Sequence, residues 1–379
     1  MKILHVVASY KPAYVYGGPI MSAAMLCEQL VKTGQQVQVY TTTANGATEL
    51  DVATGKPIDV DGVPVTYFPR KTKDHSHLSP GLLKAVYRDA KKFDVVHVHA
   101  WWNLAVVLAC FAALKRGVPV VISPRGTLSP YSFQNKNTAV KSLMHRISMP
   151  FLKKSHFHVT SVHEQEAVKA VVTGKSITNI PNFVKLPPLK QNSDESHRSD
   201  VFKLLFFSRI EEKKGLDILI RSLKLIKFPF QLTVAGSGTE DYVNELKALA
   251  IENGVDDKIT WTGFVNEEKF NLLNNNDLFV LPSYDENFGN AVIESLSVGT
   301  AVLISNGVGL AGYVSINELG WVCENNEATI ATHINNIIGT QTTELDRIRQ
   351  SAPSIIYRHF EGSALVKKYI NMYQQIITS

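Results

Sequence analysis

Short apolar runs alternate with amphipathic stretches along the chain, and glycine, proline or polar residues separate them. An apolar run of about four to eight residues bounded by turn residues predicts a buried strand, and an apolar face that recurs every third or fourth residue predicts a helix. The runs predicted as strands are residues 3–8, 37–42, 58–68, 94–99, 118–122, 157–160, 203–207, 231–235, 258–261, 277–282 and 301–304. Strands that alternate with helices in this way favour an α/β protein with parallel sheets.

The chain is 379 residues long, which is too long for one ordinary domain, so two are expected. Residues 187–200 are rich in proline, serine, aspartate and lysine and are predicted as the linker. The expected organisation is therefore a first domain over residues 1–186, a second over 201–358 and a final helix over 359–379.

Cysteine usage and hydropathy limit the class of protein. The three cysteines are widely spaced, which favours a reducing compartment over disulfides or a zinc ribbon. The apolar start of the chain is too short for a signal peptide, and the longest apolar run, residues 104–114, is shorter than the ~20 residues that cross a bilayer. We expect a cytoplasmic protein that is soluble or peripheral at the inner face of the membrane.

The charge is unevenly distributed between the two halves of the chain. Residues 1–190 have a net charge of +13 and residues 191–379 a net charge of −8. A basic half attracts polyanions or anionic lipid, and because no RNP pattern or other nucleic-acid signature is present, a membrane surface or a diphosphate-bearing acceptor is favoured over nucleic acid. Residues 136–154 are predicted as a basic amphipathic helix, interrupted at Pro150, that either lies on anionic lipid or packs on the sheet with a solvated basic face.

A polar loop and a short helix follow the predicted strand 277–282, and they carry Glu286, Gly289 and Glu294. Gly289 lets the backbone approach a bound group, and the amides of the first helical turn suit a phosphate. Carboxylates beside a phosphate are more plausible as acceptors of hydrogen bonds from hydroxyls. Glu294 falls on the same helix row as Asn290, so its carboxylate need not be buried. A ligand with sugar hydroxyls next to a diphosphate is a nucleotide sugar.

Glu286 and Glu294, with Phe288-Gly289 between them, resemble the signature of family 4 of the glycosyltransferases, retaining enzymes of GT-B fold. The resemblance implies two Rossmann-like domains facing each other across a cleft, with the C-terminal helix returning to the N-terminal domain. It also implies that Glu286 binds hydroxyls of the donor sugar and that Glu294 binds the donor ribose. The other donor-binding candidates in this stretch are Asn287, Phe288, Gly289 and Asn290.

Two cations follow the predicted strand 203–207, and Arg209 and Lys214 at its carboxyl end suit a departing diphosphate. They resemble the arginine and lysine of the same family. In relatives, backbone near the position of Phe264 contacts the base, so the sequence does not reveal which base is bound.

The first half has its own candidate loops at strand ends. Gly17-Gly18 follows the first strand, where a doubly wound fold offers amides to a phosphate, although a simple turn is the alternative. The resemblance places this loop near the donor diphosphate and the acceptor, with Tyr16 on the acceptor side. The chain has no G-x-G-x-x-G, which weakens a nicotinamide interpretation. Arg125, between proline and glycine, is the other acceptor-side candidate. Its guanidinium would either bind a phosphate or carboxylate through two hydrogen bonds or brace its own loop.

His97 and His99 lie on the same face of the predicted strand 94–99, and His99 is at its carboxyl end. A zinc site needs further ligands, and none stands nearby at suitable spacing, so no metal site is predicted. The pair resembles the H-x-H of the family, whose second histidine lies beside the donor sugar; for His97 a core role is favoured. Asp59-x-Asp61 matches the metal-binding motif of a different glycosyltransferase fold, but its position before an Asp-Gly turn favours a plain hairpin.

The predicted reaction is transfer of a hexose or N-acetylhexosamine from a nucleoside diphosphate sugar, UDP favoured over GDP, to a hydroxyl of a glycan or polyprenyl-diphosphate-linked acceptor. The resemblance implies retention of anomeric configuration, in assembly of a polysaccharide such as lipopolysaccharide, O-antigen or capsule. No cofactor is expected, and no metal is expected because side chains supply the cations. The expected catalytic residues are Glu286, His99, Lys214 and Arg209. The alternatives are a sugar-nucleotide 2-epimerase and a non-catalytic nucleotide-sugar-binding protein.

Overall fold

The structure, a computed structural model, describes residues 1–129, 132–133, 138–189, 201–265 and 267–378. Residues 136–137 of the predicted basic helix and 190–200 of the predicted linker lie outside the described residues. The chain forms two compact units, one of Met1–Val184 with Gly362–Ser379 and one of Lys185–Glu361. These are unit 1 and unit 2 below.

Unit 1 is built on an eight-stranded sheet in the order β10-β9-β8-β7-β1-β2-β6-β5. Its strands are β1 (Lys2–Val7), β2 (Gln36–Thr42), β5 (Pro57–Val60), β6 (Val63–Phe68), β7 (Val95–His99), β8 (Val120–Ser123), β9 (His156–Val159) and β10 (Ser176–Asn179), while β3 (Ala44–Asn45) and β4 (Thr48–Glu49) form a separate pair. Neighbours are parallel except β5 and β6, which form the predicted hairpin. All five residues of β7 are buried because helices cover both faces of a parallel sheet.

Among the residues that the structure describes, the helices of unit 1 are α1 (Gly18–Lys32), α2 (Pro80–Asp89), α3 (Leu104–Lys115), α4 (Thr138–Leu152), α5 (Val162–Val171) and the last helix of the chain, α13 (Gly362–Thr378). The predicted interruption at Pro150 is wrong, because α4 continues through it to Leu152. Pro150 stands in the last turn of the helix, so the missing amide removes only one bond near the helix end.

The last helix completes the core of unit 1. Leu365, Tyr369 and Tyr373 of α13 are buried in the apolar cluster that also contains Ile3 of β1. Phe183 belongs to the same cluster and stacks on Tyr369 with ring centroids 5.7 Å apart. The side chain of Phe183 therefore helps to pack α13 against the sheet.

Unit 2 is built on a fully parallel six-stranded sheet in the order β13-β12-β11-β14-β15-β16. Its strands are β11 (Phe202–Phe207), β12 (Phe230–Ala235), β13 (Ile259–Gly263), β14 (Leu278–Leu281), β15 (Ala301–Ser305) and β16 (Gly320–Cys323). Its helices are α6 (Leu216–Leu223), α7 (Glu240–Glu252), α8 (Lys269–Asn274), α9 (Asn290–Ser297), α10 (Ala311–Ile316), α11 (Glu327–Thr340) and α12 (Thr342–Phe360). The predicted α/β class with two parallel, Rossmann-like sheets is confirmed. Among the described residues, none of the helices is both long enough and apolar enough to span a membrane.

Candidate active site

Three loops of unit 2 lie side by side because the strands they follow are neighbours. β11, β14 and β15 are adjacent and parallel, so their carboxyl ends share one edge of the sheet. The loops that begin there contain Arg209 and Lys214, Glu286 and Gly289, and the glycines around Val308. Ligands of open α/β sheets bind at this edge.

The first two loops are joined through a glycine and a hydrogen bond. Gly215 has φ +69°, and a Cβ on it would lie 2.0 Å from the carbonyl oxygen of Pro282, so only glycine fits this approach. The amide of Tyr284 donates to the carbonyl of Lys213 at 2.8 Å. Lys214 is therefore held against the segment that carries Glu286.

The second and third loops are joined through the backbone of Glu286. Its amide donates to the carbonyl of Gly307 at 3.0 Å, and its carbonyl accepts from the amide of Gly309 at 2.7 Å. The position of Glu286 is thus fixed on both sides before any side-chain contact is made.

Lys214 and Glu286 form a direct ion pair through Nζ and Oε2. Their side chains are only 8% and 19% exposed, so the pair is largely shielded from water. Burial and then the charge of Lys214 lower the pKa of the neighbouring Lys213. Arg209 is about half exposed and pairs with Glu211 at 2.7 Å. Two of the four predicted catalytic residues are therefore in contact, and Arg209 follows the same strand as Lys214.

The start of α9 lies directly after this pair. Gly289, at φ +93°, is the residue before the helix, and an added Cβ would meet the side chains of Val292 and Val308 at 3.2 Å each. Phe288 is buried, so Asn287 and Asn290 flank a fixed turn. The start of a helix carries partial positive charge from its aligned backbone dipoles, which makes this turn suitable for an anion.

Glu294 is more buried than the helix pattern suggests. Its side chain is 13% exposed and pairs with Lys269 of α8 at 2.7 Å. Burial raises the pKa of the carboxyl, and the charge of Lys269 opposes that shift. Lys269 is a residue that sequence reasoning missed, because its contact joins two helices that no local spacing relates. Phe264, at the end of β13, is exposed.

A pocket of about 230 Å³ opens in unit 1 at the carboxyl ends of β1, β7 and β8. Three residues that the sequence analysis singled out, Tyr16, His99 and Arg125, line it. His77 and Trp102 line it as well, and the sequence gives no signal for either because they come from irregular segments.

The glycine loop ends beside this pocket. Gly17 has φ +70° and precedes α1, which begins at Gly18. The hydroxyl of Tyr16 accepts a hydrogen bond from the amide of Gly46 at 3.0 Å. Tyr16 is therefore tied to the segment that joins β3 and β4, and Gly17 and Gly18 bring backbone to the edge of the sheet.

Arg125 is held by residues of its own unit. Its Nε donates to His99 Nδ1 at 3.3 Å, and its Nη1 donates to Asn182 Oδ1 at 3.0 Å. The next amide, that of Gly126, donates to the buried carboxylate of Glu164 at 2.8 Å, which fixes the loop. These contacts favour the bracing alternative for Arg125, while its place in the pocket wall keeps it beside any ligand there.

The contact with Arg125 determines where the proton of His99 lies. A guanidinium only donates, so His99 Nδ1 is an acceptor and the proton of the neutral ring is on Nε2. His99 Nε2 lies 2.9 Å from His5 Nδ1, which must then accept. The pKa of His99 is lowered well below its usual value by burial and then by the charge of Arg125.

His97 belongs to a second hydrogen-bonded chain. The carbonyl of Ile180 only accepts, so His158 carries its proton on Nε2 (2.8 Å) and accepts at Nδ1 from Ser123 (2.6 Å). The Ser123 oxygen accepts from His97 Nε2 at 2.6 Å, and His97 Nδ1 accepts from the hydroxyl of Tyr373 at 2.7 Å. His97 is a satisfied core histidine, as favoured from the sequence.

The expectation that no further metal-ligating side chain lies near His97 and His99 is wrong. Strand pairing places His5 beside His97 and His99, so a third imidazole is present, with ligand atoms within 4.8 Å of one another. Both nitrogens of His97 and of His99 are engaged in hydrogen bonds, and the nearby charge is the cation of Arg125. This arrangement is a hydrogen-bonded network of neutral rings.

Stability of the protein should fall as the pH drops from about 6.5 towards 5. Burial and then the charge of Arg125 lower the pKa of His5 to about 3, so the folded state binds fewer protons than the unfolded chain in this range. The stabilisation is fully present above the unfolded pKa and is lost as pH falls towards the folded one. At pH 5 about 2 kcal/mol of the free energy of unfolding has been lost through this histidine.

Urea denaturation at pH 7 and pH 5, in wild type and His5→Asn, measures this contribution. The variant should lose less of its free energy of unfolding than wild type between the two pH values. Equal losses would contradict a neutral His5.

Comparisons with known proteins agree with the geometry of both units. A model described as glycosyl transferase 4-like domain matches residues 17–182, and one described as glycosyl transferases group 1 matches residues 190–354. An uncharacterized glycosyltransferase of Methanocaldococcus jannaschii is 25% identical, with coverage of 99% of this chain and 98% of that protein.

Two further comparisons span the whole chain. A GDP-mannose:cellobiosyl-diphosphopolyprenol alpha-mannosyltransferase of Komagataeibacter xylinus is 23% identical, with coverage of 100% of this chain and 94% of that protein. The crystal structure of Anabaena HepE in complex with UDP and glucose superimposes with a TM-score of 0.76 at 21% identity and covers 99% of this chain and 100% of that one. The two matched models together with the Glu286 to Glu294 motif show that this chain belongs to family 4 of the glycosyltransferases, whose members have the GT-B fold.

Proposed function

We propose that this glycosyltransferase moves a hexose or N-acetylhexosamine from a nucleoside diphosphate sugar to a hydroxyl of a lipid-linked glycan, with retention of anomeric configuration. The observation that carries the proposal is the contact between Lys214 and Glu286 directly before α9. A cation, a carboxylate and the positively polarised start of a helix in one place match a phosphate joined to a hydroxyl-bearing ring.

In this proposal Arg209, Lys214 and the first amides of α9 stabilise the charge that grows on the leaving diphosphate. Glu286 accepts hydrogen bonds from sugar hydroxyls, and Glu294, held by Lys269, accepts them from the ribose. Phe264 stands near the base. The leaving phosphate takes the proton of the acceptor hydroxyl on the face from which it departs, which retains the configuration.

His99 contributes by being neutral. An oxocarbenium-like centre carries positive charge, and a protonated imidazole beside it would raise its energy. Burial and Arg125 keep the pKa of His99 low, so the ring adds no positive charge of its own. Tyr16 and Arg125 lie in the same pocket wall and are proposed to face the acceptor, with Gly17 and Gly18 offering backbone to the diphosphate.

The donor is the first quantity to measure. A thermal-shift panel of UDP-sugars, GDP-mannose and ADP-glucose should raise the melting temperature for one nucleotide class only, because a ligand that binds only the folded state stabilises it. UDP-sugars are our first candidate. GDP-mannose is the second, because the relative from Komagataeibacter xylinus is named for that donor.

The bound donor is then supplied with polyprenyl-diphosphate-linked glycan acceptors, and the anomeric configuration of the product is read by NMR. Transfer should persist in EDTA, since side chains supply the positive charge. Release of an epimerised sugar in the absence of acceptor would indicate a 2-epimerase, and binding without turnover would indicate a non-catalytic protein.

The acceptor proposal includes an anionic membrane surface. Leu143 and Ile147 of α4 are 61% and 63% exposed, and Arg146 is exposed between them. A helix with apolar and basic side chains directed to solvent fits a lipid interface. Co-sedimentation with vesicles containing phosphatidylglycerol should be reduced in a variant with Leu143→Ser and Ile147→Ser; unchanged binding would remove this surface from the proposal.

A further inference from the structure

His5 lies beneath the pocket of unit 1 and has no role in the proposed reaction so far. It is 1% exposed, on β1, and the register of β1 and β7 pairs it with His97 and pairs Val7 with His99. Nothing in the spacing of these residues along the chain relates His5 to His99, since 94 positions separate them.

The rings of His5 and His99 are placed for a directional hydrogen bond. Their planes differ by 15° with centroids 5.2 Å apart, and His5 Nδ1 lies 2.9 Å from His99 Nε2. Two nearly coplanar rings at this separation meet edge to edge through their nitrogens. The bond has one direction only, because Arg125 donates to the other nitrogen of His99 and so leaves the proton on Nε2.

The consequence for His5 is a defined tautomer. Since its Nδ1 accepts, its own proton is on Nε2, and this nitrogen is buried and has no hydrogen-bond partner among the described residues. An unpaired buried donor costs stability, and a protein keeps such a group where it performs another task. The task available here is to accept the proton of a ring that lines the pocket.

We infer that His5 is a positioning residue for His99, accepting the Nε2 proton and thereby holding that imidazole in one orientation and one tautomer during sugar transfer. The inference rests on the proposed function only in assigning His99 to the transferred sugar. The hydrogen bond itself is independent of any activity, so the two can fail separately.

The spectroscopic test needs no substrate. In protein with ¹⁵N-labelled histidine, an N–H···N bond between two imidazoles gives a scalar coupling between the two nitrogens, with the proton attached to His99. His5→Leu places a methyl group at the position of Nδ1 and should remove both the coupling and the protected Nε2 proton signal of His99. His5→Asn keeps an acceptor oxygen at the same distance along the side chain, so the coupling should vanish while the protected proton remains.

The kinetic test uses the same pair of variants in the full chain. His5→Leu should lower kcat by about ten- to a hundredfold with the KM for the donor nearly unchanged, as expected when a reacting geometry is misplaced by a fraction of an ångström. His5→Asn should restore most of kcat. His333→Gln, on α11 of unit 2, controls for loss of an imidazole as such.

The outcomes separate the two claims. Any one of three results would overturn the positioning role. These are a proton attached to His5 Nδ1, the absence of the nitrogen–nitrogen coupling in wild type, and an equal kcat in His5→Leu and His5→Asn at matched folded fraction. If His5→Leu does not fold, the positioning role is tested by the coupling in wild type and by the kcat of His5→Asn. Failure of wild type to transfer sugar from any donor would overturn the proposed function, while the coupling would still decide the hydrogen bond.

Discussion

Replacing Lys214 with methionine should lower kcat by roughly a hundred- to a thousandfold, the cost of removing one group that stabilises developing charge on a leaving phosphate. Methionine fills the space of the buried side chain but carries no charge. The loss should appear in kcat more than in the KM for the donor, because the interaction strengthens as the sugar–phosphate bond breaks. Steady-state transfer assays with the donor found in the thermal-shift panel measure both.

Because Lys214 is paired with Glu286, the single substitution of Lys214 also leaves a carboxylate without its partner. A second substitution, at Glu286, supplies the control. Without Lys214 the carboxylate of Glu286, 19% exposed, loses its partner, so the variant should also be less stable. Lys214→Met combined with Glu286→Gln removes both charges and should recover most of that stability while leaving kcat at least as low. A double variant with wild-type activity would show that the pair serves stability alone.

Gly215→Ala should lower the free energy of unfolding by about 2–4 kcal/mol, since it combines an unfavourable positive φ with a collision against backbone. The added Cβ would lie 2.0 Å from the carbonyl oxygen of Pro282, so the two loops must separate. Transfer should fall as well, because the hydrogen bond between Tyr284 and Lys213 holds these loops together.

Gly254→Ala is the matched control for this prediction. Gly254 has φ +65° and nothing within 4 Å of an added Cβ, so it carries the conformational cost alone. Its variant should lose about 1 kcal/mol and keep full activity. Urea denaturation and transfer assays on both variants make the comparison, and equal effects on stability and activity would show that the loops tolerate separation.

Local patterns along the chain were sufficient to predict the elements of the fold. An apolar run closed by Pro282 predicted β14, and Asp61-Gly62 predicted the turn between β5 and β6, because these signals act within a few residues. The prediction failed where a local rule was overridden by position: Pro150 stands too near the end of α4 to interrupt it.

The candidate site was predictable in its residue types but not in its contacts. Glu286 and Lys214 each stand at a strand end, which the sequence shows, yet their ion pair depends on the adjacency of β11 and β14. The same limit hid His5 from His99 and Lys269 from Glu294, because side chains far apart along the chain meet only after the strand order is set. The burial of Glu294 was not predictable for the same reason, since α8 covers this side chain in addition to its own helix.

The position of α13 after unit 2 in the sequence constrains when unit 1 can complete its folding during protein synthesis. This helix supplies Tyr369 and Tyr373 to the core of unit 1, but a ribosome makes it only after every residue of unit 2. Until then Phe183 lacks the ring on which it stacks, and His97 lacks the hydroxyl that donates to it. The half of the protein that emerges first is therefore the last to be completed, and during translation its unfinished apolar surface is what a chaperone would encounter.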